Sequence, residues 1–223
     1  MAPQYELYSY FRSSCSARVR IAAHYKSIPL EYKFIHLVKN EQQSTEYSSL
    51  NPSQNVPTLV VRDSDDSNKK EFLIRQSVAI LEYFEDAYPN APKLLPEDVE
   101  ARAKVRELVN VVACDIQPVT NLKVLNKVRP LGVDGKEWQA EWMSSGLEAF
   151  ERIVKGSAGR YAVGDQVTLA DVVLAPAVDN ALRFGVDVSK YETVWRVYEE
   201  VGKIEAFQKG GWRTQEDTPE EFR

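Results

Sequence analysis

The sequence predicts two domains of different class, an α/β domain over residues 1–88 and an all-α domain over residues 97–223. Two observations support this division. Short strand-like and helix-like stretches alternate through the first domain, whereas strand patterns largely stop after a proline-rich linker at residues 89–96. The composition, with 43% hydrophobic and 27% charged residues, is that of an ordinary globular protein.

The α/β domain begins with the alternating Tyr5–Tyr8, which predicts a strand. Apolar residues on one face of Ser14–Tyr25 predict a helix that Ser13 or Ser14 caps. We interpret the polar Asp63–Asn68 as a solvated hairpin turn. The remaining predicted elements are strands at Glu31–Leu37, Pro57–Val61 and Glu71–Ile74 and a helix at Ser77–Asp86. A crossover connection followed by an antiparallel pair is the thioredoxin-like arrangement.

The second domain shows helical spacing throughout. Apolar residues predict a long helix from about Asp98 toward Asn126, with a kink at Pro118. The same spacing predicts a helix through Met143–Val154. Thr168–Asp171, which precedes an apolar run, predicts a capping box at the start of another helix. We therefore expect a bundle of helices after the linker.

Charge and cysteine content restrict the partners and the location. The net charge of -5, without a basic cluster, argues against binding to nucleic acid or to an anionic membrane. The chain has neither a signal-peptide pattern nor an apolar run of about 18 residues, which predicts a cytoplasmic protein without a membrane span. Its 2 cysteines and 2 histidines are too scattered for a disulfide framework or a metal site.

The residues that most suggest chemistry are Ser13, Ser14 and Cys15, which lie between the first strand and the first helix. The N–H groups and the dipole at a helix start favour an anion. A thiol with a pKa of about 8.5 needs about 2.7 kcal/mol of stabilisation to be a thiolate at neutral pH. One hydroxyl donor to a charged acceptor contributes about 1.5–3 kcal/mol. The loop is able to stabilise a thiolate, although Ser-Ser here also suits a plain helix cap.

The string Ser9–Ala22, SYFRSSCSARVRIA, closely resembles the active-site signature of the zeta-class glutathione transferases, the maleylacetoacetate isomerases. The resemblance continues in order at Asn51-Pro52, Val56–Leu59, Gln76–Ile80, Ile116–Pro118, Asn121-Leu122, Val163–Asp165 and Arg183-Phe184. It implies the glutathione transferase fold, a thioredoxin-like domain followed by a helical domain that contributes to the substrate pocket. It also implies glutathione as cofactor, a small-molecule substrate and a homodimer.

The resemblance further implies roles for single residues. The Ser13 hydroxyl would bind the glutathione sulfur, with Ser14 and Cys15 as further donors. Arg183 matches an arginine that contacts a substrate carboxylate, a group that suits a guanidinium. The residues implied to hold the rest of glutathione are Gln43, Val56, Gln76, Ser77, Gln117 and Asn121.

Other features of the sequence bear on these roles. Ser77 lies at a predicted helix start, where its N–H and hydroxyl also suit a carboxylate on physical grounds alone. The family pattern implies a cis Val56-Pro57 bond. Two residues depart from that pattern, since Ala17 replaces the usual tryptophan and Lys123 a small hydroxyl residue.

The activity that the resemblance implies is glutathione-dependent isomerisation of maleylacetoacetate to fumarylacetoacetate in tyrosine and phenylalanine catabolism, with glutathione transferase side activity. Addition of a thiolate to the cis double bond would replace a prohibitive rotation with an easy one. Two alternatives stay open. Cys15 could itself be the nucleophile of a thiol transferase, by a monothiol route because Arg18 stands where a second cysteine would be. The second alternative is a non-catalytic, glutathione-transferase-like module that only binds or assembles.

Overall fold

The computed structural model describes residues 4–62 and 71–223 and divides the chain into two compact units. The first unit contains the residues up to Pro92 together with Ala206–Arg223, and the second contains Lys93–Glu205. The predicted hairpin turn at Asp63–Asn68 lies outside the described residues. The sequence places residues 206–223 in the helical domain, whereas they pack with the first unit.

The first unit is built on a mixed sheet of four strands in the order β2-β1-β3-β4. Strand β1 runs parallel to β2 and antiparallel to β3, and β3 runs antiparallel to β4. The strands are β1 at Gln4–Ser9, β2 at Glu31–Phe34, β3 at Thr58–Arg62 and β4 at Phe72–Ile74. The parallel pair followed by an antiparallel hairpin confirms the predicted thioredoxin-like topology.

Helices cover both faces of this sheet. They are α1 at Ser14–Tyr25, α2 at Thr45–Leu50 and α3 at Ser77–Ala87. Helix α1 packs against α3. Tyr5 packs edge-on against Phe84 of α3, whereas Tyr8, three residues along β1, contacts Tyr47 of α2. Successive strand residues point to opposite faces, so this odd spacing directs the two rings to different layers.

The second unit is helical in its described regular structure. Its helices are α4 at Val99–Asn110, α5 at Leu122–Val128, α6 at Gly135–Val154, α7 at Leu169–Arg183 and α8 at Glu192–Val201. Helix α7 packs against α4, α6 and α8. Its residues from Leu169 to Val178 are all buried, which identifies α7 as the central helix of this unit.

The predicted long helix from about Asp98 toward Asn126 is interrupted. Helix α4 ends at Asn110, a π-helical turn follows at Val111–Ile116, and α5 begins only at Leu122. Pro118 has no N–H to donate, and the chain turns after it. A kink within one helix was predicted at Pro118, but the residues between Ile116 and Leu122 separate two helices instead of bending one.

Acceptors at the helix starts satisfy the first N–H groups. Asp98 caps α4 and Asp134 caps α6. The predicted capping box of Thr168 and Asp171 opens α7. At the start of α8, the Glu151 carboxylate on α6 accepts from the N–H groups of Thr193 and Val194, at 3.2 and 2.9 Å.

The Glu151 carboxylate shows how strongly a helix start favours a negative charge. Burial alone would raise the pKa of Glu151, but the N–H groups of Val194 and Thr193 hold it below its usual value. The ionised form is therefore favoured in the folded chain. A carboxylate is a good partner for an otherwise uncapped helix in this protein.

The last residues of the chain lie against the residues before α1. They contain helix α9 at Glu205–Gly210 and short 3-10 turns at Trp212–Thr214 and Glu220–Phe222. The buried Arg20 guanidinium donates to the carbonyl oxygens of Gly210 and Phe11, at 3.0 and 3.2 Å. Phe11 N–H in turn donates to Asp217 at 2.9 Å. These bonds attach residues 206–223 to the first unit. Within the described ranges, no helix is long and apolar enough to cross a membrane.

Replacing Gly210 with alanine is expected to destabilise the first unit. A Cβ at this position would lie 2.6 Å from the Ile21 nitrogen and 2.7 Å from its Cα. Such overpacking costs about 1–3 kcal/mol, which corresponds to a fall of about 3–10 °C in melting temperature. Gly156→Ala is the matched control, because its Cβ would have no neighbour closer than 3.7 Å. Equal melting temperatures for the two variants would contradict tight packing of the last residues on α1.

Replacing Glu151 with glutamine is expected to destabilise the second unit in a pH-dependent way. The folded-state pKa of Glu151 lies below its usual value of 4.5, so its contribution to stability is present above about pH 4.5 and is lost as the pH falls through the folded-state pKa. Urea unfolding should show a loss of about 1–3 kcal/mol at pH 7 that shrinks below about pH 4. Glu148→Gln, at an exposed site of α6, should show little loss. A loss that is constant with pH would contradict this assignment.

Candidate active site

The turn that joins β1 to α1 presents hydrogen-bond donors at one point. Ser13 N–H donates to Tyr10 O at 2.9 Å, which closes the turn. The Ser13 hydroxyl oxygen accepts from Ser16 N–H at 3.1 Å, so Ser13 is the cap of α1. The predicted cap is correct. A hydroxyl oxygen that accepts this bond still has its own hydrogen to donate, so the cap role and a role toward a ligand are compatible.

Three donors at this helix start have no acceptor among the described residues. The N–H groups of Ser14 and Cys15 belong to the first turn of α1 and have no partner among the described residues. The Ser13 hydroxyl hydrogen is the third. All three residues are half-buried. Two N–H groups, one hydroxyl and the positive end of a helix dipole form a suitable site for a thiolate.

Cys15 is a free, half-buried thiol, and Cys114 is a free, exposed one in the π-helical turn of the second unit. The described residues contain no group of three or more histidine, cysteine and acidic side chains that could hold a metal ion. Arg18 is buried. Arg18, and not a second cysteine, stands three residues after Cys15.

The loop before β3 contains Val56, whose bond to Pro57 is cis, as the family pattern implies. Val56 is buried, and its N–H and carbonyl make no backbone hydrogen bond in the described part of the chain. A network fixes the loop, since the Tyr47 hydroxyl lies 2.6 Å from Asn55 O and 2.9 Å from the Thr58 hydroxyl. Val56 thus offers a backbone donor and acceptor on a rigid support.

Helix α3 begins with Gln76 in the cap position and Ser77 as its first residue. The Gln76 side chain makes no cap hydrogen bond, and the first bond of the helix runs from Ile80 N–H to Gln76 O at 3.0 Å. The buried Ser77 hydroxyl accepts from the Arg18 guanidinium Nη1 at 3.2 Å. The first N–H groups of α3 are therefore available to an acceptor from outside the chain.

Gln43, unlike Ser13 and Ser77, does not lie at the start of an α-helix. It ends a 3-10 turn at Glu41–Gln43, and its side chain is exposed and makes no hydrogen bond to any described residue. Its neighbour Gln42 is buried, with an Oε1 atom that has no partner. Among the described residues, no hydrogen bond joins the Gln43 side chain to the Ser13 turn or to Ser77.

The remaining predicted site residues belong to the second unit. Gln117 follows the π-helical turn and is half-buried. Asn121 caps α5, with its Oδ1 accepting from Lys123 N–H at 2.9 Å. In the predicted continuous helix, Gln117 and Asn121 would share one face, but the chain breaks between them and they do not. Arg183 is the exposed last residue of α7, and its guanidinium lies 4.6 Å from the Phe184 ring centroid.

The burial of Arg18 and Arg20 was not predicted from the sequence. Both lie within α1, whose residues from Ser16 to Ala23 are all buried. The apolar pattern of Ser14–Tyr25 indicated one buried face and gave no sign that the two arginines are enclosed. The signal that could have shown otherwise is the small size of Ala17, Ala22 and Ala23, which lets neighbouring segments approach the helix on more than one side.

The chain is similar in sequence to known glutathione S-transferases. The model for the N-terminal domain of glutathione S-transferases matches residues 3–86, and a model for their C-terminal domain matches residues 133–209. A maleylacetoacetate isomerase of Aspergillus fumigatus is 48% identical to the chain, and the alignment covers 100% of this chain and 96% of that protein.

Two solved structures share the fold over nearly their whole length. A maleylacetoacetate isomerase of Anaeromyxobacter dehalogenans with bound glutathione has a TM-score of 0.88 at 37% identity, covering 98% of this chain and 99% of its own. A bacterial maleylpyruvate isomerase described as a zeta-class glutathione S-transferase has a TM-score of 0.87 at 37% identity, covering 96% and 100%. The chain therefore belongs to the glutathione S-transferase family, and within it to the zeta class.

Proposed function

We propose that this chain is a glutathione-dependent isomerase that converts maleylacetoacetate to fumarylacetoacetate in the breakdown of tyrosine and phenylalanine. Glutathione transferase activity is its side activity. The observation that carries the proposal is the turn at Ser13, Ser14 and Cys15, where three donors converge at a helix start in a chain of this family. Relatives named maleylacetoacetate isomerase, alike over nearly the full length, support the same reaction.

The residues present fit glutathione. A thiolate suits the donors of the Ser13 turn. A carboxylate suits the start of α3, which has no capping side chain of its own. A peptide backbone suits Val56, whose N–H and carbonyl are unpaired within residues 4–62 and 71–223. The three kinds of group in the tripeptide thus match three sets of unpaired hydrogen-bonding groups in the first unit.

Ser13 is the residue that would stabilise the thiolate of glutathione. Its hydroxyl would donate to the sulfur, while its oxygen keeps the bond from Ser16 N–H. That bond polarises the hydroxyl and makes it a better donor. The N–H groups of Ser14 and Cys15 would add to the stabilisation of the negative charge. Bound glutathione supplies a nucleophilic thiolate, whose reversible addition to the cis double bond permits rotation before it leaves.

The other residues of the candidate site would bind and orient glutathione. We assign Gln76 and Ser77 to a carboxylate of glutathione and Val56 to its peptide backbone. Gln43, Gln117 and Asn121 are assigned to further polar contacts with glutathione by resemblance. Of these three, Asn121 accepts Lys123 N–H with one lone pair of its amide oxygen, and its amide nitrogen is the donor that it could offer to glutathione.

Recognition of the substrate is assigned to Arg183. Its exposed guanidinium at the end of α7 suits a carboxylate of maleylacetoacetate. Residues 1–88 would be the glutathione-binding domain, with residues 206–223 packed on it, 89–96 the linker, and the helices up to residue 205 the domain that contributes to the substrate pocket. We further propose that the protein acts in the cytoplasm as a homodimer, as its family resemblance implies.

Incubation of the purified protein with maleylacetoacetate, with and without glutathione, tests the proposal directly. Conversion to fumarylacetoacetate is expected only when glutathione is present, because the chain's own residues provide donors for a thiolate but the reaction needs the thiolate itself. Substrate and product can be followed by their absorbance. Absence of glutathione-dependent conversion would overturn the proposed function.

Ser13→Ala and Cys15→Ala separate the two possible nucleophiles. Loss of the Ser13 hydroxyl should lower kcat/KM about 10- to 150-fold, the equivalent of about 1.5–3 kcal/mol for a donor to a charged acceptor. It should also raise the pKa of the bound glutathione thiol. Ser13→Thr, which keeps a hydroxyl and a cap, should retain most activity. Cys15→Ala should have a smaller effect than Ser13→Ala.

The exposed Cys114 supplies the control for thiol chemistry, since Cys114→Ala should leave the isomerisation rate unchanged. If Cys15→Ala abolishes isomerisation while Ser13→Ala barely changes it, the nucleophile is the cysteine and the thiol-transferase alternative is correct. Binding of glutathione by calorimetry without any turnover would instead identify a module that only binds.

A further inference from the structure

Arg18 is a buried cation with most of its hydrogen-bonding capacity unused. Its side chain is on α1, and the residue is 2% exposed. Nη1 donates to the Ser77 hydroxyl at 3.2 Å, whereas Nε and Nη2 have no partner. None of the described carboxylates forms an ion pair with it. A guanidinium keeps its charge, so a site of this kind is unfavourable unless something compensates.

The other buried cations in and next to this helix have partners. The Arg20 guanidinium donates to the Ser9 hydroxyl at 2.9 Å and to the Gly210 carbonyl at 3.0 Å, with two further carbonyls nearby. Lys26, just after α1, forms an ion pair with Glu85 at 2.7 Å and donates to Pro92 O at 3.0 Å. The fold therefore provides partners for buried cations elsewhere on this helix, and Arg18 is the exception.

Ser77, the hydrogen-bond partner of Arg18, is the first residue of α3, a helix without a capping side chain. Among the described helices of eight or more residues, α1, α4 and α6 have capping side chains, α7 has a capping box, and α8 has the Glu151 carboxylate. Helix α3 has none of these. An unpaired positive charge and an uncapped helix start thus meet at Ser77. A carboxylate at this helix start would accept from its first N–H groups, and its negative charge would offset the charge of Arg18.

We propose that Arg18 is a positioning residue that favours the γ-glutamyl carboxylate of glutathione through Ser77. Because the Ser77 oxygen accepts from Arg18, the Ser77 hydrogen is left to point toward the ligand. The buried charge of Arg18 then strengthens the attraction between this helix start and a carboxylate. The inference rests on the proposed function, since it concerns how the same glutathione would be held.

Two ligands separate this role from a structural one. Glutathione and γ-aminobutyryl-cysteinyl-glycine differ only in the γ-glutamyl carboxylate. Calorimetry with wild-type protein should show weaker binding of the analogue. Arg18→Met should weaken glutathione binding about tenfold and change binding of the analogue less than about twofold, since only glutathione has the group that Arg18 attracts. Arg18→Lys, which keeps a charge, should restore part of the preference for glutathione.

The melting temperature of the ligand-free protein gives an independent readout. Replacing a buried unpaired charge with an apolar side chain of similar length is often neutral or stabilising, so Arg18→Met should melt at or above the wild-type temperature. Lys26→Met is the matched control. It leaves the Glu85 carboxylate without its buried partner, so it should lower the melting temperature and leave the ratio of the two affinities unchanged.

The outcomes are distinct. Equal weakening of both ligands by Arg18→Met, or a lower melting temperature or failure to fold of that variant, would show that Arg18 serves the fold and would overturn the inference. An unchanged affinity for glutathione would overturn it as well. If wild-type protein binds neither ligand, the proposed function fails first, and the inference fails with it.

Discussion

The first N–H groups of a helix have no acceptor within the helix, and the way this chain supplies acceptors governs both its stability and its candidate site. In the second unit the acceptors come from the chain itself, with the Glu151 carboxylate at α8 as the clearest case. In the first unit Ser13 supplies one acceptor and leaves the next two N–H groups open, and α3 begins at Ser77 with no cap. Stability and ligand binding therefore depend on the same interaction, an acceptor placed at the first N–H groups of a helix. The chain supplies this acceptor itself in the second unit, whereas in the first unit some of these N–H groups remain unpaired.

Local sequence patterns predicted the parts of the fold that local forces determine. Helix α1 has its predicted bounds because Ser13 is a good cap and the residues after it carry no helix breaker. The mixed topology followed from the order of elements. The π-helical turn at Val111–Ile116 was missed, since no residue pattern distinguishes it from an ordinary helix until tertiary packing acts. The placement of residues 206–223 was missed for a similar reason, because the bond from Phe11 to Asp217 joins residues 206 positions apart.

The candidate site shows the same contrast. Ser13 and Ser77 were predicted correctly as helix-start residues, because capping depends on a few neighbouring positions. Gln43 was assigned by resemblance alone, and nothing in its surroundings distinguishes it from an exposed polar residue. Arg18 could not be evaluated from the sequence, since the cost of a buried charge becomes visible only when the neighbours that enclose it are known. The sequence therefore predicted roles that depend on neighbouring residues, such as helix capping. It did not predict a role that depends on distant residues, such as the enclosure of the Arg18 charge.

The attachment of the last residues to the first unit has a consequence for biosynthesis. Gly210 and Asp217 provide acceptors for Arg20 and for Phe11, which lies two residues before Ser13. During translation these acceptors leave the ribosome only after the whole second unit has been made. The turn that carries the candidate site therefore acquires its final supports last, and until then Arg20 must remain partly hydrated or find temporary partners. A nascent chain halted before residue 206 would have the sheet but not the finished turn.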